Sequence, residues 1–256
     1  MSSIDEAVSA LAAARRHART ISAEEVGVPD TSTAYAVQAG VARELGWFAA
    51  VVEGTAPRHW KSGGPSRQAT LTHAPLPPHG VWASGTDASR WPFHLRGIEA
   101  EVALRVSQDV DAARAADVDA ESAAQLVDAM CVSIEVVDSR WSEGVDAPAL
   151  AKLADLQSHG ALVLGEWRPF ELRDWAAQRC IVTIGARRPL TFCGTHSLGA
   201  PAYVLPAWLR HATRDGAIVR AGTVVTTGTW CGLPMATAGE RVSADFPGIG
   251  TAEVLL

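Results

Sequence analysis

Lysine is nearly missing from this chain. Of 22 basic residues only Lys61 and Lys152 are lysines, and arginine serves everywhere else. Arginine keeps its proton in a protein, whereas lysine releases it when its surroundings lower its pKa. Each retained lysine is therefore either an ordinary surface cation or a group kept for proton chemistry. No CxxC pair occurs among Cys131, Cys180, Cys193 and Cys231, so neither a zinc site nor a disulfide framework is signalled. No apolar run approaches transmembrane length, which argues against a membrane partner. No long basic run occurs and the formal net charge is −6, which argues against a nucleic acid or an anionic membrane surface. The opening MSSIDEAVSALAAARRHART lacks the basic-then-apolar order of a secretory signal. Its acids Asp5 and Glu6 disfavour a transit peptide, and a reducing, cytoplasmic setting is expected.

What is present is enough for a sizeable core: 256 residues, 48% hydrophobic and 20% charged. Residues 4–19 carry an apolar stripe of Ile4, Val8, Leu11 and Ala12 at helical spacing. Asp30, Thr31, Ser32 and Thr33 are candidate N-caps for a second helix to about Leu45. Glycine and proline then break the chain into strand and loop. Further helix is expected at 119–130 and in PAYVLPAWLRHATRDG, and strands in CVSIEVVDSRW, ALVLGEW, RCIVTIGARRPL, AIVRAGTVVTTGTW and ERVSADFPGIGTAEVLL. The fold class is α+β, with an N-terminal helical part at 1–75 and a β-rich catalytic core at 76–256.

GIEAEVALRVSQDV, starting at Gly97, alternates strictly: Ile98, Ala100, Val102, Leu104 and Val106 against Glu99, Glu101, Ala103 and Arg105. That is a strand with one buried face. Glu99 and Glu101 then point the same way, roughly 6.5–7 Å apart. Two carboxylates so close repel unless water, a proton or a cation intervenes. Glu135 lies within another apolar strand, between Ser133 and Val137 on its face, where burial demands a partner. That partner is either an arginine, with Asp138 and Arg140 near in sequence, or a cation. If the two strands lie together, the three carboxylates form a hard oxygen set suited to Mg²⁺ or Mn²⁺ rather than zinc.

The segments WKSGGPS, GIEAEVAL, IEVVDSRW, KLADLQSHGALVLG, GTHSLGAP, VRAGTVVTTG and GERVSADFPGIGTAEV occur in that order across nearly the whole chain, with AYAVQ at Tyr35 before them. In this it resembles the hydratase/decarboxylase branch of the fumarylacetoacetate hydrolase superfamily, which includes 2-keto-4-pentenoate hydratases and 4-oxalocrotonate decarboxylases. The resemblance implies a mixed β-roll or sandwich core with N-terminal helices, usually in a homo-oligomer. It implies Mg²⁺ or Mn²⁺ on Glu99, Glu101 and Glu135, chelating the 2-oxo acid end of a small substrate. It places Lys61 at the reacting centre and Asp155 in the same pocket. Ser66, Ser158 and Thr229 fall where polar substrate contacts are expected; each also has a plain turn or strand reading.

Some positions depart from the branch. ADLQSHG stands where ADNASSG is frequent, so Leu156 replaces an amide and His159 a small residue. GVWASGT places Gly85 where an acid is frequent, with Asp87 two residues later. Trp60, Trp82 and Trp230 flank matched segments, either lining a more apolar pocket or filling the core. The expected activity is a metal-dependent lyase on 2-oxo or 2-hydroxy-dienoic acids, a hydratase of the 2-hydroxypenta-2,4-dienoate type. The alternatives are a 4-oxalocrotonate-type decarboxylase and a repurposed 2-oxo-acid-binding protein. A carbon–carbon hydrolase would need a Glu–His dyad, for which no motif is visible. If Gly85 and Leu156 have removed groups that orient water, hydration is expected to suffer most, with bulkier substrates favoured near Trp82 or Trp230.

Overall fold

The computed structural model describes residues 3–256. Three helices open the chain: α1 (Ser3–Arg16), α2 (Ala23–Val26) and α3 (Thr31–Glu44). In α1, Asp5 and Glu6 occupy the first turn and Arg15 and Arg16 the last, matching the helix dipole at both ends. Asp30 caps α3 by accepting from the Thr33 amide at 2.7 Å. The two long helices touch at Gly40, where a Cβ would stand 2.4 Å from Val8 Cγ2; only a glycine lets them close.

The chain then forms β1 (His59–Gly63), β2 (Thr72–Pro75), β3 (Val81–Ala83), β4 (Thr86–Asp87) and β5 (Gly97–Val106). After α4 (Ala112–Asp117) come β6 (Val127–Val137), α5 (Ala149–Ala154), β7 (His159–Leu164), β8 (Arg168–Pro169), β9 (Arg179–Ile184) and β10 (Leu190–Cys193). Helix α6 (Leu205–Thr213) precedes β11 (Val224–Thr226), β12 (Arg241–Phe246) and β13 (Gly250–Leu255). The larger sheet runs β2-β1-β11-β5-β6-β7-β3, with β8 also paired to β6; the smaller runs β10-β9-β12-β13-β4. Three pairs are parallel, β1–β11, β3–β7 and β4–β13, so both sheets are mixed. Strands β12 and β13 pack on β6. The α+β expectation, with N-terminal helices on a mixed sheet core, therefore holds.

Two expectations change in detail. The helix expected at 119–130 is only a 3-10 turn at Ala123–Leu126, followed by β6 from Val127; α4, capped by Asp111, ends before that stretch, at Asp117. Pairing with β5 outweighs the helix-forming composition of that stretch. Strands β1 and β2 fall within residues 1–75 and hydrogen-bond within the larger sheet. The opening helices end at Glu44, and their apolar faces close over α5 and the buried Trp141. No helix among the described residues is long and apolar enough to cross a membrane.

Candidate metal centre and active site

Strand alternation builds the site. Ile98, Ala100, Val102 and Leu104 of β5 and Val132, Ile134 and Val136 of β6 enter the main core. The intervening residues share the opposite face. Antiparallel pairing sets Glu99 directly across from Glu135 and Glu101 across from Ser133. Strand β1 contributes Lys61, paired in register with Thr226 of β11. One ligand oxygen from each of Glu99, Glu101 and Glu135 lies within 4.8 Å of the others.

Hydrogen bonds fix each acid differently. Glu101 Oε2 accepts from the Gly228 amide at 2.9 Å and from the Thr226 hydroxyl, which also contacts Ser133 Oγ at 3.0 Å. Glu135 Oε1 receives Lys61 Nζ at 2.5 Å and His159 Nδ1 at 3.1 Å, while its Oε2 is buried with no partner. The partner of Glu135 is thus Lys61 and not an arginine. Burial disfavours an ionised Glu135, but Lys61 and His159 outweigh it and hold the carboxyl below its ordinary pKa. Burial pushes Glu99 and Glu101 upward, and the neighbouring carboxylates add to it. For Lys61 burial favours the neutral amine, yet the three carboxylates prevail and raise its pKa. Three acids face one ammonium, and a cation among them would favour the ionised form of all three. The donor set is hard oxygen only, and one buried oxygen lacks a partner. These residues fit a divalent cation.

Glu99 and Glu101 border a cavity of about 480 Å³ that also takes in Lys61, Gln157, Ser158, Thr195, Ser197 and Thr229. Its back is an unusual turn. Leu156, Gln157 and Ser158 have φ of 55°, 56° and 58°, three successive left-handed residues without a glycine. Each costs about 1–2 kcal/mol in that conformation. The turn brings the Gln157 carbonyl 3.2 Å from Lys61 Nζ and leaves Ser158 Oγ and Gln157 Oε1 buried without partners. Such strain clusters where a chain holds side chains for function.

The expected residues do not all converge. Lys61, Glu99, Glu101, Ser158 and Thr229 line the cavity, and Glu135 lies beneath it. Ser66 closes a local turn, accepting from the Gln68 amide at 3.3 Å. Asp155 faces away from the cavity: Arg15 reaches it at 2.7 Å and Arg140 Nε at 2.8 Å, tying the opening helices to the strained turn. Leu156 is fully buried, so the position of the missing amide points into packing. Gly85 sits at φ 90° in the turn between β3 and β4, away from the cavity. Trp60 and Trp230 are buried in the main core and Trp82 packs on it; none borders the cavity. Sequence reasoning missed Gln157, Thr226 and the contact of His159 with Glu135. Thr226 had a findable signal, an isolated polar pair in a β-branched run; the other two depend on the left-handed turn.

Known proteins agree with this architecture. A family model described as fumarylacetoacetate (FAA) hydrolase C-terminal matches residues 63–255. A 2-keto-4-pentenoate hydratase from Burkholderia vietnamiensis is 33% identical over 157 residues, 60% of this chain and 58% of that protein. A second from Paraburkholderia phymatum is 32% identical over 160 residues, again 60% and 58%. The matched stretch thus spans less than two thirds of either relative. Among solved structures, 4-oxalocrotonate decarboxylase from Pseudomonas putida G7, complexed with magnesium and adipate, superposes with TM-score 0.79 at 17% identity, covering 98% of this chain and 96% of that one. At that identity the likeness establishes the fold. With the family model covering most of its length, this chain belongs to the fumarylacetoacetate hydrolase family.

Proposed function

We propose that the protein is a divalent-metal-dependent lyase acting on 2-oxo or 2-hydroxy-dienoic acids, of the 2-hydroxypenta-2,4-dienoate hydratase type. The observation that carries this is the grouping of Glu99, Glu101 and Glu135 around one point, with Lys61 on one oxygen of Glu135 and the other, Oε2, buried and free. Glu99, Glu101 and Glu135 would hold Mg²⁺ or Mn²⁺. That cation would polarise the 2-oxo group of a substrate and offset the negative charge that keeps Lys61 protonated. Lys61 Nζ, fixed by Glu135 and the Gln157 carbonyl, is the group that holds and returns a proton as the dienol becomes a ketone. Of the two unpartnered atoms there, Ser158 Oγ donates to the acid and Gln157 Oε1 accepts from the 2-hydroxyl of the dienol. The hydratase names of the two curated relatives support the reading.

One observation favours the decarboxylase as second reading. Lys152, the other lysine, borders the same cavity; its ammonium donates to the Val145 carbonyl at 3.0 Å and pairs with no carboxylate among the described residues. It suits the distal carboxylate of a diacid. The test incubates 2-hydroxypenta-2,4-dienoate, and separately the corresponding 4-oxalocrotonate diacid, with Mg²⁺ or Mn²⁺, following absorbance, product NMR and released CO₂. Formation of 4-hydroxy-2-oxopentanoate is the expected result. CO₂ from the diacid with an inert dienoate would select the second reading. Metal and oxalate binding with neither reaction would point to a binding protein. We extend the proposal to a homo-oligomer, which sedimentation of the purified chain would test.

A further inference from the structure

His159 starts β7 and is buried, with only 1% of its surface exposed. Its Nδ1 lies 3.1 Å from Glu135 Oε1, the oxygen that also receives Lys61 Nζ at 2.5 Å. An ionised carboxylate only accepts, so Nδ1 carries the proton of this contact. Nε2 is then the bare nitrogen, and it is buried without a partner. It faces Gly80, 3.9 Å from where a Cβ on that residue would stand. The neighbouring Gly160 is backed against β6, since a Cβ on it would lie 2.6 Å from the Val136 carbonyl. His159 does not border the cavity, so this Glu–His pair is turned away from the space where a hydrolase dyad would hold water.

Glu135 is otherwise free to rotate about its side chain, and both of its oxygens are equivalent. Lys61 and His159 break that equivalence by occupying one of them from two sides. We infer that His159 is a positioning residue: by donating from Nδ1 to Glu135 Oε1 it locks the carboxylate so that Oε2 is presented beside Glu99 and Glu101 as the ligand oxygen. The inference rests on the metal reading proposed above. Outer partners of this kind typically contribute about 10–100-fold to metal affinity.

The test measures Mn²⁺ affinity of the purified full chain without substrate, by electron paramagnetic resonance of free Mn²⁺ and by calorimetry. Wild type is compared with His159→Leu and His159→Asn. The asparagine amide nitrogen can take the Nδ1 position; leucine has no donor. The expected result is a loss of about 10-fold or more in His159→Leu and recovery to within about 3-fold of wild type in His159→Asn, since the donor is restored. If His159→Leu folds poorly, His159→Met replaces it, a flexible apolar side chain that likewise has no N–H donor. Unchanged Mn²⁺ affinity in the variant lacking the donor would overturn the inference while leaving the metal centre standing. Equal losses in the asparagine and donor-lacking variants would overturn it too, by showing that the ring acts as a filler. No Mn²⁺ affinity in wild type would overturn the metal reading and the inference with it.

Discussion

The chain keeps two lysines, and one of them sits on the floor of the acidic cavity. Lys61 faces a demand that arginine meets only in part. Its charge compensates buried Glu135, and its proton must also be exchangeable. Lys61→Arg is expected to lower turnover by about 100-fold or more while Mn²⁺ affinity changes little; near-normal turnover would show that the residue supplies charge alone. Lys61→Met removes the charge as well. Losing one partner of a buried pair costs about 3–5 kcal/mol, so its melting temperature should fall sharply and rise again when Mn²⁺ is added. Glu101→Gln keeps the size and the acceptor for Gly228 but removes a ligand charge. Its Mn²⁺ affinity should drop by about 10-fold or more while its circular dichroism stays that of wild type, and unchanged affinity would sink the metal centre. The ExE alternation made Glu99 and Glu101 legible in the sequence. Glu135 was legible as an acid out of place in an apolar strand. His159 was not, because its role depends on a turn that no periodicity announces.

That turn is the element that most shapes the site. Three left-handed residues in succession are held by packing on one side, through buried Leu156, and by ion pairs on the other, through Asp155 with Arg15 and Arg140. Ser158 spends conformational energy and leaves a buried hydroxyl without a partner. Ser158→Gly removes both costs. It should raise the melting temperature by roughly 2–4 °C, the equivalent of about 1 kcal/mol at this chain length. The same change should raise KM for the acid substrate by about 10-fold, the loss of one hydrogen bond. A destabilised glycine variant would show that the turn is not strained. Asp155 also takes its meaning here: it braces the turn from behind. The family resemblance of the KLAD segment places it in the pocket. Side-chain direction within a tight turn decided otherwise.

At the scale of the whole molecule, buried histidines tie stability to pH. Burial pushes His59, His73 and His196 down to about 4, with arginine charges adding to it. His73 stands 2.9 Å from Ser62 Oγ and 4.7 Å from the ring of His211, which burial also lowers, to about 3. Unfolded histidine titrates near 6.5. Between about 6.5 and 4 the unfolded chain therefore binds more protons, and stability falls as pH falls. Glu99 and Glu101 act in the opposite sense, because acids with raised pKa favour the folded chain at low pH. The clean measurement is thus thermal melting of the Glu99→Gln/Glu101→Gln double variant. Its melting temperature should be lower at pH 5.0 than at pH 7.5 by at least about 5 °C; equal values would mean that the histidines titrate freely.

The sequence by itself determined the α+β class, the β5 alternation with its two same-face acids, the apolar strand around Glu135 and the scarcity of lysine. All of these are written in local periodicity and residue type, which neighbouring positions are enough to express. Only the tertiary structure decided that Glu99 faces Glu135, that Lys61 arrives on a parallel strand beside β11, that Asp155 turns to arginines, and that Trp60 and Trp230 fill the core. Those facts depend on strand register and on the φ angles of one strained turn. Both are set by packing between segments far apart in the chain, which no local pattern encodes.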